Sequence, residues 1–382
     1  MTSISFLHTS DLQLGMTRWF LDDEAQGRFD DARLRSIDRL GQIAQARDCA
    51  FIVIAGDVFE HNSLSQRVTG RVKERLRALP VPVFLLPGNH DPLVADSIFY
   101  QARDIAGVHI LGDSTPVAVS EGVEIVGAPL LSKHATTDLV RQALEPLEPT
   151  ADIRILVGHG QAEARSNEHH PDLIDLSYVE QALAAGTVDY LALGDTHSAR
   201  PVGNSGRVWF SGAPETTDFH DLAAGDTGGE DNSGNALIVT VTKTATLDAT
   251  VEVDEVAVGE WVFEAIDREL GSAEDVAEFL TALEAYPHKD RTVIKYSLRG
   301  TLDIAATRTL EKGLETHRPV FAALFERERL NDLHLEPDEQ ELADLGIGGY
   351  PAAALAELAQ QAETDPTARD AVNLFFRLAK EA

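Results

Sequence analysis

Val83-Phe84-Leu85-Leu86-Pro87-Gly88-Asn89-His90-Asp91 passes from an apolar strand composition to an amide, an imidazole and a carboxylate within a few residues. The same junction recurs along the chain. Ile4 to Leu7 runs on to Asp11-Leu12-Gln13, and Phe51 to Ala55 to Gly56-Asp57. Ile153 to Val157 leads to Gly158-His159, and Tyr190 to Leu193 to Gly194-Asp195-Thr196-His197. Short apolar runs separated by helical stretches read as α/β, and open α/β sheets gather ligands at the carboxyl ends of their strands. All five polar clusters stand at such ends.

Outward from these junctions, Asp31 to Arg47 carries Leu34, Ile37, Leu40 and Ile43 on one helical face, and Gln66 to Leu79 has a similar stripe. Both read as helices crossing between early strands. From Val108 onward the links shorten, through Val123 to Val126, Val208 to Ser211 and Ala236 to Val241. That pattern predicts a second, more antiparallel sheet and so a two-sheet sandwich flanked by helices. Ala223 to Gly234, rich in Gly, Asp and Asn, reads as a hairpin loop without a chemical role. After about residue 250 a strand at Val251 to Val258, a helix at Ala273 to Ala285 and a strand at Thr292 to Leu298 suggest a small α+β appendage. A mostly helical tail follows Leu302, broken around Leu345 to Pro351. The expected boundaries are 1–248, 249–318 and 319–382.

With 382 residues the chain exceeds what one core usually organises, and 43% hydrophobic content is that of a globular protein. Its single cysteine, Cys49, excludes an intramolecular disulfide and a cysteine-based zinc site. No apolar run reaches the roughly 20 residues that cross a bilayer, so the expectation is a cytoplasmic protein with no membrane association. The net charge of −31 argues against tight, stand-alone nucleic-acid binding, which usually needs a basic surface.

The five clusters supply what a pair of divalent ions needs: carboxylates, of which one can bridge, with oxygen and nitrogen donors on both sides. Singly, Asp11 reads as a helix cap, Asp57 as a turn residue and His159 as a hydrogen-bonded structural imidazole. Together, in order and at comparable strand ends, they read as a metal site. Arg18-Trp19-Phe20 offers a cation and a stacking surface beside the first cluster. Arg200 lies near the last one, and the polar His169-His170 pair reads as solvated.

The order Asp-x-x, Gly-Asp, Gly-Asn-His-Asp, Gly-His, Gly-x-x-His, over roughly residues 4 to 215, resembles the calcineurin-like metallophosphoesterases. Asp11 to Gly15, Gly56 to Glu60 and Phe210 to Glu215 look most like SbcD-type DNA repair exonucleases, and Val258 to Trp261 is compatible with their capping domain. The resemblance implies that Asp57 bridges two ions, that Asp11 and His197 complete the first shell, and that Asn89 and His159 serve the second ion. His90 would stabilise the transition state or protonate the leaving oxygen, with Asp91 orienting its ring. Gln13 and Asp195 stand where the family usually has histidine, which implies a site richer in oxygen donors and suited to manganese or magnesium. The resemblance further implies DNA as substrate, a homodimer and an SMC-like ATPase partner of the SbcC type. A small-molecule or nucleotide phosphodiesterase and a catalytically weak scaffold subunit are the alternatives.

Overall fold

The structure is a computed structural model, and it describes residues 1–162, 171–223, 229–244, 248–335, 348–362, 364–365, 367–368, 371–372 and 374–375. His169-His170, residues 224–228 of the Ala223 to Gly234 loop and part of the Leu345 to Pro351 break lie outside the described residues. The chain forms two compact units, Met1–His220 with Asp226–Val262, and Asp221–Gly225 with Phe263–Ala382.

In the first unit, β1 (Thr2–Thr9), β2 (Ile52–Ile54), β3 (Val83–Leu85) and β4 (Val108–Ile110) run parallel. A second set comprises β5 (Val117–Ser120), β6 (Val123–Ala128), β7 (Ile153–His159), β8 (Tyr190–Gly194), β9 (Arg200–Pro201) and β10 (Val208–Phe210). After β11 (His220–Asp221) come β12 (Asn235–Lys243) and β13 (Ala249–Ala257). The sheet orders are β13-β12-β1-β2-β3-β4 and β5-β6-β7-β8-β10-β9.

Two points correct the sequence expectation. Ala236 to Val241 belongs to the first sheet, where β12 pairs antiparallel with β1 from Thr2 opposite Lys243 to His8 opposite Leu237. The second sheet is parallel from β6 through β10, with antiparallel strands only at its edges. The cause is burial on both faces. Leu237, Val239 and Val241 enter the core between the sheets, while Ala236 and Ile238 enter the core under the helices. Such a strand reads as one apolar run and carries no alternation that names its neighbour.

Helices cover the outer faces. α1 (Asp23–Ala46) and α2 (Gln66–Arg77) pack their apolar stripes on the first sheet, and α3 (Leu139–Leu144) and α4 (Leu176–Ala185) on the second. α1 begins a turn and more before the expected Asp31, because Asp22 accepts from the Ala25 amide at 2.7 Å and Asp23 and Glu24 meet the positive helix end.

At the end of the sandwich where β7 and β8 begin, a buried charge pair ties the sheets together. Lys243 Nζ donates to Asp189 Oδ2 at 2.8 Å and to the Asp152 carbonyl at 2.9 Å, and Asp189 also accepts from the Arg154 amide at 2.8 Å. The opposite end carries the polar clusters. There Asp11 N donates to Gly56 O at 3.0 Å, Gln13 N to Asp57 O at 2.9 Å and Gly160 N to Gly194 O at 3.2 Å.

The second unit is an α+β body. β14 (Val262–Leu270), β15 (Thr292–Leu302), β16 (Ala323–Glu326) and β17 (Asp332–Leu335) form its sheet with the short β11 beside β14, and α5 (Ala273–Ala285) and α6 (Ile304–His317) share its core. β16 and β17 pair in parallel with successive halves of β15. Among the described residues after Leu302, helices at Ile304–His317 and Tyr350–Ala362 predominate, with the two short strands β16 and β17 between them. No helix among the described residues is long and apolar enough to cross a membrane.

Candidate metal centre

Backbone conformation marks the site before any side chain does. Among the described residues, six non-glycine residues have positive φ, and four are Asp11 (53°), Gln13 (42°), Asp57 (50°) and Asp195 (97°). Left-handed backbone at a non-glycine residue costs about 1–3 kcal/mol and persists where the surroundings hold it. Here the strand-exit turns fold back sharply enough to aim all four side chains inward. Two glycines keep the space open: a Cβ at Gly88 would stand 2.1 Å from Asp57 Oδ1, and one at Gly56 2.1 Å from His159 Nδ1.

The side chains of the five clusters converge. Asp11, Asp57 and His159 each present a buried donor atom, all within 4.8 Å of one another. His159 Nδ1–H donates to the Ala55 carbonyl at 2.8 Å, which turns Nε2 toward Asn89 Oδ1 (2.8 Å), Asp57 Oδ2 (3.5 Å) and Asp195 Oδ1 (3.9 Å). On the other side, His197 Nε2 lies 3.8 Å from Asp11 Oδ1 and 3.5 Å from Gln13 Nε2. Asp195 links the halves, its amide 3.2 Å from both Asp11 oxygens.

His197 is aimed by groups that the sequence reading did not single out. Its Nδ1–H donates to the Thr217 hydroxyl at 2.5 Å, and that hydroxyl donates to Glu230 Oε2 at 2.7 Å. A partner on the far ring nitrogen fixes the tautomer that leaves Nε2 free to bind a cation. Glu230 falls in the loop taken from sequence as having no chemical role. Arg33, buried on α1, donates to Leu12 O at 2.6 Å and Thr216 O at 3.1 Å, tying the Asp11–Gln13 turn to the Thr217 turn. Burial lowers its pKa, but only to about 10, so it stays charged. An arginine among the apolar positions of α1 was the available signal.

His90 sits at the mouth, its side chain 35% exposed against 3% for Asp57 and 1% for His159. Its Nδ1–H donates to the Glu60 carbonyl at 3.1 Å, and Nε2 points inward, 3.9 Å from Asp57 Oδ2. The expectation that Asp91 orients this ring meets a different geometry. The two Asp91 oxygens accept from the Phe59 and Gly88 amides, each at 2.8 Å, which ties two of the ligand-bearing turns together. Burial and then the Asp57 carboxylate push Asp91 up to about 8. Arg18 donates to the Thr217 carbonyl, Trp19 is 85% exposed, and Arg200 on β9 stacks its guanidinium over Phe210.

The electrostatics call for a cation. Burial raises the pKa of Asp11, whereas at Asp57 the neighbouring His159 and His90 outweigh burial and lower it. Burial would lower both ligand imidazoles, yet Asp57 holds His159 well above its usual value, and Glu230 and Asp11 bring His197 to about 9. Gln13 Oε1 and Asp195 Oδ2 are buried acceptors without a hydrogen-bond partner among the described residues. Carboxylates, imidazoles and unpaired carbonyl oxygens around one small space are the donor set of a divalent metal site.

The family model of calcineurin-like phosphoesterases matches residues 4–199, which span every cluster described. The chain belongs to that family. Among curated calcineurin-like relatives, the uncharacterized metallophosphoesterase YhaO of Bacillus subtilis is 27% identical over 207 residues, covering 52% of this chain and 49% of YhaO. The DNA double-strand break repair protein Mre11 of Archaeoglobus fulgidus is 25% identical over 247 residues, covering 58% of this chain and 52% of Mre11. The chain thus spans about half the length of the curated relatives it matches. Among solved structures, a dimetal phosphatase from Danio rerio superposes with a TM-score of 0.39 at 10% identity, covering 67% of this chain and 99% of that one.

Proposed function

We propose that this calcineurin-like phosphoesterase is a two-metal phosphodiester hydrolase acting on DNA, in the manner of SbcD-type exonucleases. The observation that carries the chemistry is the convergence of seven donor side chains from five strand-end turns, with His90 at the open side. Asp57, between the two halves, is the bridging ligand in this reading. Asp11, Gln13 and His197 would hold one ion, and Asn89, His159 and Asp195 the other. Two divalent ions so placed would polarise a phosphoryl oxygen and acidify an attacking water.

The chain's own residues do the rest. Asp57 is kept ionised by its imidazole neighbours. The Ala55 carbonyl and the Thr217–Glu230 pair hold two imidazoles with Nε2 inward. His90, anchored through Nδ1, presents Nε2 where a leaving oxygen would depart and is the group to protonate it. The oxygen-rich donor set supports manganese or magnesium.

The DNA half of the proposal is supported by the motif resemblance and by the similarity to a protein named for double-strand break repair. An ATPase partner of the SMC type would supply basic surface that a chain of net charge −31 lacks, and homodimerisation belongs to the same reading. The charge itself favours a second reading, a phosphodiesterase for small nucleotide esters. The test is hydrolysis of linear duplex DNA and of a generic phosphodiester with Mn2+, comparing the native chain with His90→Ala. The substitution lowers kcat about 10²–10⁴-fold, the usual size of a lost general acid, while the metal, measured by equilibrium dialysis, stays bound. Ester cleavage without DNA cleavage favours the second reading, and full activity of the variant removes His90 from the mechanism.

A further inference from the structure

Beside the metal centre lies a cavity of about 270 Å³ whose inner wall is Asn89, His159 and Asp195. Its outer wall comes from the turn between β6 and α3, through Leu130, Lys133 and His134. The third side, Asp172 and Leu173, belongs to the stretch leading into α4. Metal-side residues therefore form only one face, and the other two mix apolar groups, a cation, an imidazole and a carboxylate.

We propose that this cavity is the subsite for one nucleoside unit attached to the scissile phosphate; the inference rests on the phosphodiesterase reading of the adjacent centre. With the phosphate at the ligand wall, the substituent on that side enters the cavity that Leu130 and Leu173 help to line. A flat heterocycle needs apolar contact on its faces and polar partners around its edge. Leu130 and Leu173 supply the first, Asp172 an acceptor for ring N–H groups, and Lys133 a cation for a phosphate oxygen. A simple alkyl or aryl substituent would leave Asp172 and His134 without use. The volume is just below the roughly 300–1,000 Å³ of pockets that take drug-sized ligands, so it suits one nucleoside and not a run of stacked bases.

The test compares two esters sharing a nitrophenolate leaving group, the p-nitrophenyl ester of thymidine 5′-monophosphate and bis(p-nitrophenyl) phosphate. The full-length protein is assayed with Mn2+, alongside Lys133→Ala and Leu173→Ala. The native chain is expected to prefer the nucleoside ester in kcat/KM by at least about ten-fold, and each variant to reduce that preference by about ten-fold, the scale of one lost contact. No preference, or variants that lower both esters alike, overturns the subsite. If neither ester is cleaved, the phosphodiesterase reading falls, and calorimetric binding of thymidine 5′-monophosphate against inorganic phosphate decides the subsite separately. Tighter nucleotide binding that weakens in the variants upholds it, and equal binding of the two anions overturns it.

Discussion

Both ends of the sandwich bury aspartates, and they neutralise them differently. At one end Asp189 is fully buried against Lys243, itself 1% exposed, with the pair at 2.8 Å. At the other, Asp11 and Asp57 are as deeply buried, but their nearest titratable partners are imidazoles. A buried carboxylate needs a cation or a proton. One end carries its cation in the sequence, as a clamp between sheets, and the other is arranged to take it from solution. The same physics yields a structural site and a candidate reactive one, and which it becomes depends on whether the counter-charge is covalently part of the chain.

The comparison breaks most sharply by removing one charge at each end. Lys243→Met strands a buried Asp189 and is expected to cost about 3–5 kcal/mol, read as a fall in the urea midpoint with no change in metal affinity. Asp11→Asn removes a carboxylate that burial already disfavours. The metal-free variant should therefore keep native stability to within about 1 kcal/mol, as for substitutions that strand no charge, while losing the stabilisation that Mn2+ gives the native chain. Comparable losses of metal-free stability at the two ends would end the distinction.

Next in size is a pH effect behind the His197 half. Glu215 is buried and accepts from the Glu260 and Trp261 amides at 2.9 and 2.8 Å, and burial pushes its pKa from 4.5 to about 7. A raised carboxylate pKa means that the native state holds the proton more tightly. Its stabilising contribution is complete below about pH 4.5 and fades as pH rises through 7. Glu215→Gln should flatten that decline by on the order of 1–3 kcal/mol, seen in urea unfolding of both proteins at pH 5 and 8. Parallel curves for the two proteins would mean that Glu215 does not titrate in this window.

The two inward imidazoles, His159 and His197, differ in how they are held, and that gives a smaller effect. His159 leans on a backbone carbonyl, which no substitution removes, whereas His197 depends on Thr217 and Glu230. Glu230→Gln should weaken metal binding about 10–100-fold, the usual cost of losing a ligand's supporting hydrogen bond. In a two-site Mn2+ titration the loss should appear in one site only. Equal weakening of both sites would mean that the halves are not independently supported.

These differences follow how much was legible in the sequence. The candidate ligand positions were visible because each stands at the end of an apolar run, and a chain-local pattern records strand ends. The sheet to which a strand belongs was not visible, as with Ala236 to Val241, because a strand buried on both faces presents one apolar run. Nor were the contacts of Thr217, Glu230 and Arg33 legible, although Arg33 stands out as an arginine among the apolar positions of α1. Their partners lie 20, 13 and 183 residues away, as with Thr217 to His197, Glu230 to Thr217 and Arg33 to Thr216. An ordinary threonine or glutamate carries no mark of such a contact. The positive φ at Asp11, Gln13, Asp57 and Asp195 was equally hidden, although aspartate tolerates it better than most residues.

Gln13 is where the halves of the proposed metal site differ in donor type, and it offers the finest adjustment. Its amide is buried, with Oε1 lacking a hydrogen-bond partner among the described residues and Nε2 3.5 Å from His197 Nε2. A neutral carbonyl oxygen is a weaker donor than imidazole for transition metals. Gln13→His would place a ring nitrogen beside His197 and Asp11, and we expect Mn2+ binding on that side to tighten about ten-fold, or roughly 1.4 kcal/mol. The Asn89–His159 side should stay as it was. The left-handed φ of 42° works against a large gain, although histidine is among the residues that visit that region. Unchanged affinity in the titration would show that the amide is not a ligand and that the first ion is held by Asp11, Asp57 and His197 alone. A tightening of both sites would instead mean that Gln13 acts through Asp57, which both halves share.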